Sequence, residues 1–376
     1  MITILSALSL AAWLYLLLFR GYFWRSGPEL QPAKPSGRSK VAVVVPARDE
    51  AASICESLTS LLTQEYPGNL SIILVDDNST DGTGRIAASL GNDNRLTIVN
   101  GAPLAPGWSG KLWAVQQGLD QPQAQAANYV LLTDADIVHP RDHISTLVAK
   151  AETDRLDLVS EMVHLRCETV AERAFIPAFV FFFQMLYPFS WVANPRRRTA
   201  GAAGGTMLVS RAALARIGGA SQIRNRLIDD CALAKQVKST GGTIWLGHTS
   251  RTRSLRVYSN FADIWNMIAR TAYEQLNYSP LVLAGCVLAM ALVYSAPPLL
   301  LFARGLPGGL GLITWLLMAI SFQPTLRRYR RSPLWGLALP AIGAFYLCAT
   351  VASAVRHHTG RGGGWKNRVY PPASAE

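Results

Sequence analysis

Two short apolar runs in this chain stop abruptly at clusters of aspartate. Ile72-Ile73-Leu74-Val75 leads into Asp76-Asp77-Asn78-Ser79-Thr80-Asp81-Gly82-Thr83, and Tyr129-Val130-Leu131-Leu132-Thr133 leads into Asp134-Ala135-Asp136. Runs this short and this free of polar alternation are buried on both faces, as strands of a helix-covered parallel sheet are. In such sheets the ligand sits beyond the carboxyl ends of the strands, which is where these aspartates fall. A third run, Val41-Ala42-Val43-Val44-Val45, ends at Pro46-Ala47-Arg48-Asp49-Glu50 and is followed by Ile54, Leu58, Leu61 and Leu62 on one helical face. Strands at Leu70–Val75, Leu96–Val99 and Tyr129–Thr133 then alternate with helices near Thr83–Leu90 and Lys111–Leu119. The alternation predicts an α/β fold with a Rossmann-like, mostly parallel sheet and right-handed crossovers.

The ends of the chain obey different rules. Half of the 376 residues are hydrophobic and only 16% are charged, against roughly 25% charged in soluble domains. Met1 to Phe19 holds no charged side chain, and Pro280 to Ala303, Leu306 to Phe322 and Leu334 to Val355 are similar. Each is about long enough to cross a hydrocarbon core. The first has neither a basic n-region nor a small-x-small cleavage site, which favours an uncleaved anchor over a secretory signal. Ala174 to Ala193 is apolar and aromatic but is interrupted by Pro177, Gln184 and Pro188. We read it as an interfacial helix, with a buried core helix as the other reading. The expected organisation is an anchor (1–24), a linker (25–39), an α/β domain (40–278), about three spans (279–356) and a basic tail (357–376).

A formal charge of +12 raises the question of nucleic acid, and the placement of the charge answers it. Arg20, Arg25, Lys34, Arg38 and Lys40 follow the first span, and Arg327, Arg328, Arg330 and Arg331 separate two later ones. Basic residues beside spans mark a cytoplasmic face and attract anionic headgroups. Membrane is therefore an expected partner and nucleic acid is not. The tail adds Arg356, Arg361, Lys366 and Arg368, although one span before the domain and three after it put the tail outside. Either a segment is re-entrant, with Pro297-Pro298 as a breaking point, or the tail departs from the rule. Five cysteines without paired spacing argue against a disulfide framework and a zinc site. The histidines form no ligand set. His139, just past Asp136, is the one nearest the carboxylates, while His164, His248, His357 and His358 fit structural or surface roles.

Acidic residues gathered at strand ends suit one divalent cation and a phosphate-bearing ligand. The joint pattern is more specific than its parts. Val-Val-Val-Pro-Ala-Arg-Asp-Glu (43–50), Val-Asp-Asp-Asn-Ser-Thr-Asp-Gly-Thr (75–83), Gly-Trp-Ser-Gly-Lys (107–111) and Thr-Asp-Ala-Asp (133–136) come first. Gly-Gly-Thr-Met-Leu-Val-Ser-Arg (204–211), Ile-Asp-Asp-Cys-Ala-Leu-Ala (228–234) and Arg-Thr-Ala-Tyr-Glu-Gln-Leu (270–276) follow. In this order they resemble the family 2 inverting glycosyltransferases with the GT-A fold, and more closely the bacterial hopanoid-biosynthesis-associated members. The catalytic pattern covers Val41 to Tyr278.

That resemblance implies an enzyme moving one sugar from a nucleotide-diphosphate donor, such as a UDP-sugar, to a lipid acceptor, a hopanoid or other isoprenoid. It implies Mg²⁺ or Mn²⁺ as cofactor and a multi-pass protein of the bacterial inner (plasma) membrane with its catalytic domain in the cytoplasm. By position, Asp136 and Asp134 would meet the metal, Asp134 also the ribose, and Pro46, Arg48, Glu50, Asp76 and Asp77 the nucleoside. Asp230 would be the base, supported by Asp229, where the family has Glu. Carboxylates at a helix N-terminus, offsetting its dipole, are the competing account of that pair. Lys111, opening a helix, is placed for a donor contact or for solvent. Gly205, in the Gly201–Gly205 run, allows close backbone approach or a plain hairpin. Asn78, Ser79, Thr80 and Asp81 read as turn formers.

Polymer synthases of the family carry Gln-x-x-Arg-Trp in a membrane-proximal helix. Here Met267-Ile268-Ala269-Arg270-Thr271 lacks both Gln and Trp. Arg270 faces either a diphosphate or a headgroup, and the missing Trp argues for single-sugar transfer. The segment Trp365-Lys366-Asn367-Arg368 resembles an element of related membrane transferases. A processive polysaccharide synthase, a membrane nucleotidyltransferase and a non-catalytic scaffold are the competing functions.

Overall fold

The three apolar runs become adjacent parallel strands. In the computed structural model, which describes residues 1–90 and 93–360 with the backbone of 364–365 and 368–369, they are β1 (Val41–Ala47), β2 (Leu70–Asp76) and β4 (Tyr129–Leu132). The other strands are β3 (Leu96–Asn100), β5 (Ile137–Val138), β6 (Leu158–His164), β7 (Met207–Ser210) and β8 (Ile244–Ser254). One sheet results, in the order β3-β2-β1-β4-β7-β6-β8-β5. Every residue of β1 is buried, as a strand flanked by helical layers on both faces requires. Val41 pairs with Leu70 on one side and with Tyr129 on the other. That register brings Ala47, Asp76 and the residues after Leu132 to a common edge.

The second half is mixed. β7 runs antiparallel to both β4 and β6, β8 is parallel to β6, and β5 is antiparallel to β8. The antiparallel β7 carries Gly201–Gly205 toward the same edge from the opposite direction. Gly118 lets the helix Gly110–Leu119 press against the sheet, since a Cβ there would lie 2.4 Å from Val44 Cγ1.

Helices long and apolar enough to span a membrane flank this domain at both ends. They are Ile2–Phe19, Pro280–Leu300, Leu306–Arg328 and Pro333–His358. The first packs against Leu306–Arg328, and its Ser9 hydroxyl and Trp13 indole donate to the carbonyls of Leu292 and Val293. Those carbonyls belong to a π-helical turn, Ala291–Ser295, whose wide pitch loosens the usual ladder. Pro297 and Pro298 sit in the helix that resumes after it, Ala296–Leu300. The proline pair therefore opens a helical segment; it does not break one.

A fifth apolar helix, within Val170–Val192, is 61% buried, against 17% for the first span. The stretch expected at the headgroup level is thus mostly covered by protein. Its Phe181 packs edge-on against Phe23 and Phe322, and Tyr346 donates its hydroxyl to the Phe175 carbonyl. Past the break at Tyr187-Pro188, Ser190 is exposed while Phe189 and Val192 stay buried. Arg361, Lys366 and most of the basic tail lie outside the described residues, as does the side-chain reading of Trp365-Lys366-Asn367-Arg368.

Candidate active site

The helix Gly110–Leu119 starts at the carboxyl edge of the sheet, which aims Lys111 across it. Its ammonium is 2.8 Å from Asp134 Oδ1 and 3.0 Å from Asp229 Oδ2. Burial works against that charge, but Asp134, Asp229 and Asp230 together raise the Lys111 pKa. Lys111 is therefore a fixed cation shared by two acidic motifs 95 residues apart in sequence. Pro46, Asp134, Gly204 and Asp229 line a single cavity with it, floored by Leu112, Met207 and Leu233.

Asp230 faces the glycine loop. Its Oδ2 accepts the Gly204 N–H at 2.9 Å and its Oδ1 the Cys231 N–H at 2.7 Å. Burial, then the charge of Asp229, pushes its pKa up to about 6, against the pull of Lys111. Such a carboxylate is still mostly ionised at neutral pH, and its basicity is close to what general base catalysis favours. A Cβ on Gly204 would meet Asp230 Oδ2 at 3.4 Å and the Lys111 ammonium at 3.6 Å, ordinary contact distances. Gly205 is tighter, because a Cβ would meet Val163 at 2.9 Å.

Asp136 is held differently. Arg256 donates Nε–H to Asp136 Oδ2 at 3.1 Å and reaches Glu50 Oε1 at 3.3 Å with Nη2. Burial, then the charge of Asp134, pushes the Asp136 pKa up to about 6, although Arg256 opposes it. Two carboxylates forced together in a poorly solvated place are a site short of positive charge. Oxygen donors of this kind fit a hard divalent cation, which needs only one or two protein carboxylates when phosphates and water complete its shell. Among the described residues no three His, Cys, Asp or Glu side chains gather closely enough to hold a metal by themselves.

The remaining nucleoside candidates stand on the adjoining strand ends. Asp77 is fully buried, with Arg48 Nη1 3.5 Å from its Oδ2 and hydrogen-bonded to its backbone carbonyl. Asp76 Oδ1 accepts the Ser79 N–H at 3.0 Å. Asn78 bonds the Gly101 carbonyl, and Asp81 accepts N–H groups of Ala51 and Thr83, as turn formers do. Asp77 and Arg48 follow the strands β2 and β1 at the same edge as the Lys111 cluster. Arg270 is exposed on the helix Phe261–Gln275; its charge, with that of Arg256, acts on Tyr258.

Two groups escaped the sequence reading. Arg256 lies beyond β8, and only its place among Arg251, Arg253 and Arg256 hinted at it. Glu274 accepts the N–H groups of Leu227 (3.0 Å) and Ile228 (3.1 Å), the residues entering the Asp229-Asp230 turn. Burial pushes its pKa up to about 7. His139 does not face the acidic pair. It is buried, its Nδ1 2.7 Å from His143 Nδ1, and His143 Nε2 is 2.9 Å from Glu161 Oε2. His139 Nε2 meets the Thr133 hydroxyl, which donates to the Gly205 carbonyl, so this chain braces the acidic loop from behind.

A sheet of this order, with cations and carboxylates at its carboxyl edge and apolar helices on both flanks, has the Rossmann-like GT-A architecture. Residues 42–218 match the family described as Glycosyl transferase family 2, and they make this stretch a family 2 glycosyltransferase domain. A 4,4'-diaponeurosporenoate glycosyltransferase of Staphylococcus aureus is 34% identical over 110 residues, 29% of this chain. That stretch is only 27% of the relative's own length. The mannosyltransferase PcManGT from Pyrobaculum calidifontis, solved with GDP-Man and Mn²⁺, superposes with a TM-score of 0.62. The match covers 95% of this chain and 98% of that one at 20% identity, a likeness of fold.

Proposed function

We propose that this protein transfers one sugar from a nucleotide-diphosphate donor to a lipid acceptor, with inversion at the anomeric carbon. The observation that carries this is the meeting of Lys111 with Asp134 and Asp229, beside Asp230 and Gly204. A leaving diphosphate needs fixed positive charge, and the attacking group needs a base on the opposite side of the sugar. Lys111 and Arg256 supply the charge. Each is held by carboxylates until a phosphate competes for it. Asp230 takes the acceptor proton, its orientation fixed by the N–H groups of Gly204 and Cys231. Arg48 and Asp77 bind the nucleoside portion.

A divalent cation, Mg²⁺ or Mn²⁺, would be held by Asp134 and Asp136, and when bound it supplies further charge neutralisation at the diphosphate. The acceptor is a hopanoid or another isoprenoid lipid, drawn from the bilayer in which the flanking helices sit. The domain lies on the cytoplasmic side of a bacterial plasma membrane, with the division into anchor, linker, α/β domain and spans given above. Calorimetry with a panel of nucleotide sugars and Mn²⁺ tests the donor site. Binding of one nucleotide sugar, lost in Lys111→Met, is expected. No binding across the panel would overturn the reading in favour of a non-catalytic scaffold.

A further inference from the structure

The turn that leaves the first span is docked on the C-terminal end of the fifth apolar helix. Ser190 donates its hydroxyl to the Gly21 carbonyl at 2.8 Å. Arg20 donates to the carbonyls of Met185 and Leu186. Its guanidinium lies 5.0 Å from the Trp191 ring centroid, and that of Arg197 lies 4.9 Å from the same ring. Arg25 stands over Tyr22 at 4.6 Å. Arg196, Arg197 and Arg198 are all exposed, and among the described residues no carboxylate pairs with any of these five arginines.

The level of this cluster is set by what precedes it. Leu18 and Phe19 are 53% and 68% exposed, an apolar belt that ends where Arg20 begins. Guanidinium groups stacked on a half-exposed tryptophan, one turn beyond such a belt, stand at the headgroup level. We propose that Arg20 and Arg197, both against the Trp191 ring, together with Arg25, Arg196 and Arg198 beside them in the chain, seat the phosphodiester headgroup of an anionic phospholipid. Unpaired positive charge is what an anionic surface rewards.

The seat has a route to the cavity. The helix Asp229–Ser239 grips the intervening loop at both ends. Lys238, in its last turn, donates to the carbonyls of Val192 (2.6 Å) and Thr199 (2.7 Å). Asp230, in its first turn, accepts from Gly204. The arginine triplet lies in the bend between Val192 and Thr199, both held by Lys238, and Thr199 leads on to the loop held by Asp230. A bound headgroup restrains that bend and, with it, the Gly201–Gly205 loop. The consequence for sugar transfer rests on the function proposed above; the seat and the restraint do not.

Native mass spectrometry of the full chain, with phosphatidylglycerol and phosphatidylcholine offered equally, tests the seat. The parent should retain phosphatidylglycerol in roughly tenfold excess, and the combined Arg196→Gln, Arg197→Gln, Arg198→Gln variant should lose that preference. Equal retention, an unchanged variant, or displacement by inorganic phosphate would overturn a lipid seat. Hydrogen exchange in nanodiscs tests the restraint. Phosphatidylglycerol should slow exchange across residues 199–205 in the parent but not in the variant, and identical responses would refute the coupling. A chain that transfers no sugar in any disc counts against the proposed function alone, because neither readout uses turnover.

Discussion

Gly204 donates its N–H to Asp230 Oδ2 across 2.9 Å, and this bond joins the glycine loop to the first turn of the helix that carries the acidic pair. It fixes the direction in which Asp230 can accept a proton. Replacing Asp230 by asparagine keeps an oxygen for Gly204 but removes the base. Asp230→Asn should lose on the order of a thousandfold in kcat, with donor affinity by calorimetry unchanged.

The pH response of activity and stability should run in opposite directions at this residue. The Asp230 pKa rises to about 6 in the fold from an ordinary value of 3.8. Transfer needs the ionised form and should fall as pH drops through about 6. Stability has the other sign: a raised carboxylate favours the fold when protonated, and that contribution is lost as pH rises from about 4 through about 6. Thermal melts of Asp230→Asn and the parent should therefore diverge in the variant's favour over that window. Parallel melts would show that Asp230 carries no such strain.

Removing Lys111 leaves Asp134 and Asp229 facing each other without their shared cation. Lys111→Met should cost about 2 kcal/mol of stability by denaturant titration and roughly a hundredfold in kcat/KM.

Arg256 bridges Asp136 and Glu50 at a distance from the base. Arg256→Ala should raise the donor KM and lower kcat, each by roughly tenfold, because it supplies charge to the leaving diphosphate. Steady-state kinetics at fixed acceptor separates this from a loss of the base.

Glu274 holds the turn before Asp229 through two backbone N–H groups. Glu274→Ala leaves them unpaired in a buried place, at a cost of about 1–3 kcal/mol, and should lower kcat. Glu274→Gln keeps an acceptor oxygen and should recover most of that rate. Equal losses in the two variants would remove Glu274 from a positioning role.

The first half of the sheet was legible because its strands are parallel and doubly buried, so their residues form uninterrupted apolar runs. Val41–Val45, Leu70–Val75 and Tyr129–Thr133 declare themselves and point to Arg48, Asp77, Asp134 and Asp136 at their ends. The second half was not. β7 has four residues and is antiparallel, and β8 mixes Trp245 and Leu246 with Arg251 and Arg253, so neither has a clear period. Arg256 was hidden for that reason: it meets Asp136 because the end of β8 pairs with β5, which begins directly after Asp136. Glu274 was hidden because its partners are backbone groups, which leave no trace in side-chain pattern. The aromatic stretch 174–193 misled because protein burial and a membrane interface select the same side chains.

The most direct test follows label from a nucleotide sugar carrying a radioactive hexose into the lipid fraction of nanodiscs containing the full chain, a divalent cation and isoprenoid lipid. Label should enter the organic-extractable fraction with the parent and stay in the aqueous phase with Asp230→Asn. Label that never leaves the aqueous phase with any donor, or that moves equally well with Asp230→Asn, would contradict the account.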